Sequence, residues 1–204
     1  MRLRYDYQDT PKKYYKTIDT LQDLEHYILN DLDHPLKHTA FHTVFSNHTT
    51  SPIMLIGEAP GEEEDKAGEP FVGRSGQLLM NVFASIGLSR EQLYITNLIP
   101  WRPANNRTPL PHEMEFFLPL LKKHILLKNP SIIILLGGVV TKALFSKKTE
   151  ISKIRGKILT LTLEEKTFPV LPTFHPAYLM RSPRMKKLAW EDMLQLAYYL
   201  KHHP

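Results

Sequence analysis

Apolar and polar positions along this chain follow two different periods. Between residues 18 and 30, Ile18, Leu21, Leu24, Tyr27 and Ile28 recur at helical spacing, with Asp19 or Thr20 where an N-cap belongs. Residues 31–52 are polar and irregular and read as a loop. After Pro52 the pattern changes to IMLIG, a short apolar run stopped by a glycine, which predicts a buried strand. Helix GQLLMNVFASIGL (76–88) is followed by strand QLYITNL (92–98), and helix PHEMEFFLPLLKKHILLKN (111–129) by strand SIIILLG (131–137). Helix VVTKALF (139–145) comes next. The alternating KILTLTLEE predicts an edge hairpin with TFPVLPTF, and MKKLAWEDMLQLAYYLK (185–201) a last helix.

Nearly all-apolar strands alternating with helices indicate a parallel sheet covered on both faces. The expectation is one α/β domain over residues 1–204, a three-layer α/β/α sandwich on a mainly parallel four-stranded sheet. Residues 1–17 are expected to be a peripheral or flexible segment. In such sheets ligands bind beyond the carboxyl ends of the strands, which here are Gly57-Glu58, Asn97, Gly137 and His175.

The segments at those ends carry candidate chemistry. GEAPGEEEDKAGEPFVGRSG (57–76) has the glycines and prolines of a tight irregular turn, but neither a Walker lysine nor dinucleotide glycine spacing. Glu58 follows a buried strand, where a carboxylate needs a partner or a task. The acids Glu62–Asp65 suit the first turn of a helix. Phe71, between Pro70 and Val72, can stack on a planar ligand or simply pack the loop. Asn97 offers an amide donor and acceptor that can read a base edge or close a turn. Arg102 and Arg107 lie among prolines, on a stiff loop suited to phosphate contact. His175 is held between Phe174 and Pro176, where it can donate to a developing anion or serve structure. Tyr178, Leu179 and Met180 stand beside Arg181 and Arg184; apolar wedges flanked by arginines can enter a base stack, and the alternative is a helix packing on the sheet.

Composition narrows the classes. The 204 residues include no Cys, which excludes disulfides and sites built on thiolates. No HExxH pair or His/carboxylate cluster indicates a metal; His34, His38 and His42 are spaced by four but interrupted by Pro35. No stretch is apolar enough for a signal peptide or a membrane span, so a soluble intracellular protein is expected. Charge is uneven: residues 1–139 hold 14 basic and 16 acidic side chains, residues 140–204 hold 12 and 5. The second half can therefore face a polyanion, or be a solvated lysine-rich surface.

Taken together and in order, GEAPGEEEDKAGEPFVGRSGQLL, YITNLIPWRPANNRTPLPHE, IRGK and PTFHPAYLMRSP resemble the family 4 uracil-DNA glycosylases, over about Thr43 to Trp190. The resemblance implies the uracil-DNA glycosylase fold, metal-free hydrolysis of the uracil–deoxyribose bond, and single- or double-stranded DNA as partner of a monomer. It matches Glu58 and His175 to catalytic positions. It matches Phe71 to the residue that stacks on uracil, Asn97 to the reader of its Watson–Crick edge, and Gly57 and Ala59 to pocket backbone. It places Arg181 where the family's DNA-contacting loop continues; Tyr178, Leu179, Met180, Arg102 and Arg107 are the DNA-contact candidates read from the residues themselves. A DNA-binding module without turnover and a glycosylase for hypoxanthine or xanthine are the alternatives. One departure stands out: the family usually holds a four-cysteine Fe–S cluster. Here Trp101 and Phe117 occupy two of the ligand positions, and the other two fall near Asp31 and His34. No such cofactor is expected; Trp101 and Phe117 are expected to fill the volume.

Overall fold

In the computed structural model, which describes residues 17–203, this alternation folds into a five-stranded sheet. Strands β1 (Ile53–Gly57), β2 (Tyr94–Asn97), β3 (Ile132–Leu136), β4 (Leu159–Leu163) and β5 (Lys166–Thr173) lie in the order β2-β1-β3-β5-β4. β1 pairs in parallel with β2 and β3, and β3 with β5, whereas β4 is antiparallel to β5. The three-layer α/β/α class holds. The strand count is five rather than four because the hairpin arm KILTLTLEE joins the sheet as its edge. The expectation for residues 1–17 lies, except for Thr17, outside the described residues.

Strand alternation assigns the two layers. Met54, Ile56, Ile133 and Leu135 face Leu24 of α1 (Leu21–His26), Phe117 and Leu121 of α4 (Pro111–Lys128) and Val140 of α5 (Gly138–Leu144). Their neighbours Ile53, Leu55, Ile132 and Ile134 face Leu79 and Phe83 of α3 (Arg74–Ala84), and Met193 and Leu196 of α8 (Lys186–His202). The N-cap of α1 is Thr20, whose hydroxyl accepts from the Asp23 amide. The acidic run forms α2 (Glu62–Ala67), as its charges predict. One short helix was not predicted, α6 (Ile151–Ile154), and α7 (Pro176–Arg181) only as the alternative reading of its segment; each is too short to display a period.

Residues 31–52 do more than connect. Val44 donates to Pro100 O and Asn47 to Ile95 O, and Ser46 bridges Thr96, so this segment covers the outer edge of β2. The Asn47 side chain substitutes for a strand's backbone, accepting from Ile95 N and donating to Leu93 O at 2.8 Å each. An open parallel edge is thereby closed by an amide rather than by a sixth strand.

β1 has β2 on one side and β3 on the other, so the chain leaves it in opposite directions. That reversal opens a crevice at the carboxyl end of β1.

Candidate active site

The crevice is a cavity of about 420 Å³ lined by Glu58 and Ala59 after β1, Phe71, Asn97 at the end of β2, His175 after β5, and Arg181 on α7. Residues predicted from three separate segments thus meet in one place. Gly57 lies beneath them: a Cβ there would sit 2.6 Å from Phe71 Cζ and would also strike Asn97 Oδ1. Only a glycine lets both side chains approach the strand end.

Phe71 is buried with φ +53°, the left-handed region that a phenylalanine avoids; such a residue costs of order 1–3 kcal/mol. Glu64 Oε1 accepts from the amides of Val72 (3.0 Å) and Gly73 (2.9 Å), and its Oε2 from Gly61 (3.1 Å). Arg90 donates to the carbonyls of Pro70 (2.6 Å) and Phe71 (3.1 Å). Neither Glu64 nor Arg90 was singled out from sequence. Glu64 read as one acid in a run, and its only local signal was its place three residues after Gly61.

Asn97 is buried, and its Oδ1 makes no hydrogen bond. A buried acceptor without a donor is costly in the empty site and is satisfied when a ligand brings an N–H. His175 caps α7: its Nδ1 accepts from Ala177 N at 3.1 Å. That bond leaves Nε2 to carry the proton of the neutral ring. Burial, aided by the charge of Arg181, lowers the His175 pKa to about 4, so the ring is neutral at pH 7. The Phe71 and His175 ring centroids are 5.7 Å apart. Burial raises the pKa of Glu58, and Arg181 opposes that rise.

The segment bearing His175 is anchored from behind. Thr173 Oγ1 donates to the fully buried Asp192 carboxylate (2.6 Å), which also accepts from Arg155; Arg155 further donates to Leu188 O, and its guanidinium lies over the Phe174 ring. This is the role of the IRGK string: at Gly156 a Cβ would collide with Asp192. Gly137, at φ +97°, would place a Cβ 2.9 Å from His175 Cβ.

The DNA-side predictions divide. Tyr178 and Met180 are 37% and 38% exposed, but Leu179 is 3% exposed, which corrects its assignment as a wedge. On a helix it points opposite its neighbours and packs with Phe174 and Ala189, the alternative reading of that segment. Arg102 and Arg107 are not free cations. Arg102 donates to Asn106 Oδ1 (2.7 Å) and Glu62 (3.3 Å), and Arg107 is bidentate to Glu113, which also caps Leu110 N. They brace the 102–108 rim of the cavity. Arg181 is exposed and also lines the cavity.

The class defined so far is a parallel α/β/α sandwich whose strand-end crevice joins a buried aromatic ring, an unpaired amide oxygen and a neutral histidine. Comparison with known proteins specifies which. Residues 44–194 match the uracil DNA glycosylase superfamily, and the chain belongs to that family. Within it, the type-4 uracil-DNA glycosylase of Sulfurisphaera tokodaii is 44% identical over 149 residues, covering 71% of this chain and 68% of that one. The type-4 enzyme of Thermotoga maritima is 40% identical over 152 residues, 73% of this chain and 78% of its own. A DNA polymerase of Bacillus phage SP01 is 29% identical over 150 residues, which cover 73% of this chain and 16% of that protein.

The residues at the positions matched to cluster ligands do not fit an Fe–S cluster. Trp101 and Phe117 are each 1% exposed, with ring centroids 5.5 Å apart at 69°, and His34 lies 4.8 Å from Phe117. Trp101 Nε1 donates to Thr43 Oγ1 at 2.8 Å. Aromatic rings occupy the volume, as expected, and the chain has no thiolate to offer. Among the described residues no His/Cys/Asp/Glu group could hold a metal ion, and no helix is long and apolar enough to cross a membrane.

Proposed function

We propose that the protein is a uracil-DNA glycosylase, which accepts a uracil flipped out of DNA and hydrolyses its N-glycosidic bond to leave an abasic site. The observation that carries this reading is the unpartnered Asn97 Oδ1 in a cavity shared with Phe71 and His175. Flipping is required because the bond is unreachable inside a duplex. Phe71 stacks on the base. Asn97 accepts from N3–H and donates to O4. Cytosine presents a ring acceptor and an amino donor at those positions, so it sets like against like across the same amide.

As the C1′–N1 bond lengthens, its electron pair leaves with the base and the sugar becomes oxocarbenium-like. His175 Nε2–H donates to O2, where the negative charge gathers; a preorganised donor of this kind is worth roughly 3–4 kcal/mol. Its neutrality suits the task, because the proton stays on the ring and the anion leaves as such. Glu58, in its ionised form, stabilises the sugar cation and orients water. The water oxygen bonds C1′, its proton passes through Glu58 to solvent, and N1 of the departing uracil is protonated from solvent. Tyr178, Met180 and Arg181 contact the DNA around the extruded nucleotide. The enzyme works inside the cell as a monomer on single- or double-stranded DNA, without metal or cluster.

The test is base release from a 5′-labelled oligonucleotide with one uracil, beside a thymine control, followed by alkali. Cleavage at uracil alone, lost in His175→Ala and weakened in Asn97→Asp, is expected. A folded, DNA-binding protein that cleaves neither single- nor double-stranded substrate would overturn the reading.

A further inference from the structure

We infer that Glu64 and Arg90 are positioning residues for base recognition, which together fix the left-handed backbone of Phe71 and so aim its ring. The inference rests on the proposed stacking role of Phe71.

The clamp grips the backbone rather than the ring. The dihedrals of residue 71 are set by the two peptide planes that flank it. Arg90 holds the first plane through Pro70 O and the second through Phe71 O. Glu64 holds the second plane again through Val72 N, and the next through Gly73 N. The first plane is therefore tied by Arg90, and the second from both of its edges, by Arg90 and Glu64. Helix α3 closes the third side, since a Cβ at Gly76 would overlap the Phe71 carbonyl. Arg90 does not line the cavity, whereas Glu64 reaches its wall; neither is needed for the chemistry described above. A carboxylate that only capped α2 would need just its Gly61 contact, and an arginine that only solvated the surface would not converge on two successive carbonyls. Without the clamp the residue relaxes towards ordinary φ, and the ring swings away from its seat against Gly57 and from its position 5.7 Å from the His175 ring.

The experiment is a double-mutant cycle with Phe71→Ala and Arg90→Met. It reads inhibition by free uracil, KM and kcat on a single-uracil oligonucleotide, and melting temperature. Stacking energies predict that Phe71→Ala weakens uracil inhibition at least about tenfold. Arg90→Met is expected to weaken it about fivefold, with the loss in KM and the inhibition constant rather than in kcat. Arg90→Lys, which keeps one donor, should fall between. In the double mutant, Arg90→Met should add nothing to Phe71→Ala. Should Phe71→Ala matter while Arg90→Met and Arg90→Lys leave inhibition unchanged, or should the two effects multiply, the clamp is wrong and stacking survives. Should Phe71→Ala itself leave uracil inhibition unchanged, stacking is wrong and the clamp goes with it.

Discussion

Replacing Trp101 with alanine should cost about 3–5 kcal/mol of stability, the usual range for a fully buried aromatic. Three features of the structure put it there. The indole is 1% exposed, so nearly all of its apolar surface is lost to the core. Its edge-to-face contact with Phe117 and its stacking on His34 bind the cluster together; such a pair adds about 0.5–1.5 kcal/mol beyond area. Its hydrogen bond to Thr43 contributes little net, because that half-buried hydroxyl can turn to water. For a chain of this size the loss corresponds to a melting temperature lower by about 6–20 °C, at roughly 2–4 °C per kcal/mol. The assay is urea and thermal unfolding of the wild type, Trp101→Ala and Trp101→Phe, with uracil release measured at a temperature where each is folded. Trp101→Phe keeps most of the apolar volume and should cost about 1–2 kcal/mol. Rates per folded molecule should stay close to wild type, because Trp101 does not line the cavity. If Trp101→Ala shifted stability by less than about 1 kcal/mol, the claim that aromatic packing carries this region would be refuted.

Other perturbations separate the remaining roles. His175→Ala should lower kcat by about 100- to 1,000-fold, as loss of one preorganised donor does elsewhere, and single-turnover rates would show a smaller effect if the histidine served structure only. Gly57→Ala should abolish uracil inhibition while the fold survives by circular dichroism, since the new methyl displaces both Phe71 and Asn97. His34 and His175 are held near pKa 4 and His124 near 3 by burial, all below the ordinary 6.5 of a free imidazole, so the unfolded chain binds more protons from pH 6.5 downward. Stability should therefore be full above pH 6.5 and fall towards pH 4, by up to about 1.4 kcal/mol per pH unit for each histidine. Glu58 and Asp192, raised by burial, oppose part of that fall; a urea midpoint that stays flat from pH 7 to 5 would contradict the assignment. Because Glu58 must be ionised and its pKa is raised, kcat/KM should decline on the acid side of neutrality, and Glu58→Gln should lower the rate and flatten that limb.

The pattern along the chain was enough to place β1, β2, β3 and β5 and the long helices, because a buried parallel strand reads as a short continuous apolar run and an amphipathic helix as a 3.6-residue repeat. The pocket residues Glu58, Asn97 and His175 were legible for a related reason: each stands at or just past a strand end, and an α/β sheet gathers its strand ends; Phe71 stood out by its place between Pro70 and Val72 in the segment that follows β1. Long-range partners left no such trace. Glu64 serves amides eight and nine residues away, Arg90 reaches back about twenty, and Asp192 meets Arg155 from another helix. Leu179 was misassigned because six helical residues are too few to show which side of α7 faces the core. Arg102 and Arg107 looked free because their carboxylate partners, Glu62 and Glu113, appeared in the sequence only as helix starts.

Some of these charges serve structure. Most of the described acids of the first 139 residues are exposed, but four of them brace the fold. Glu64 holds the Phe71 turn, Asp65 accepts from the amides of Phe41 and His42, and Glu62 and Glu113 neutralise the rim arginines. In the second half the buried pair Arg155–Asp192 takes one charge of each sign. The surplus stays outside: Arg181, Arg184, Lys186 and Lys187 are all exposed between α7 and the start of α8. That stretch begins at the histidine-bearing lip of the cavity. Positive charge therefore gathers where Tyr178 and Met180 emerge, while Arg102 and Arg107 on the rim are neutralised by ion pairs. On the proposed reading, a polyanion would be drawn towards the α7 side of the site, which is also the side that presents His175.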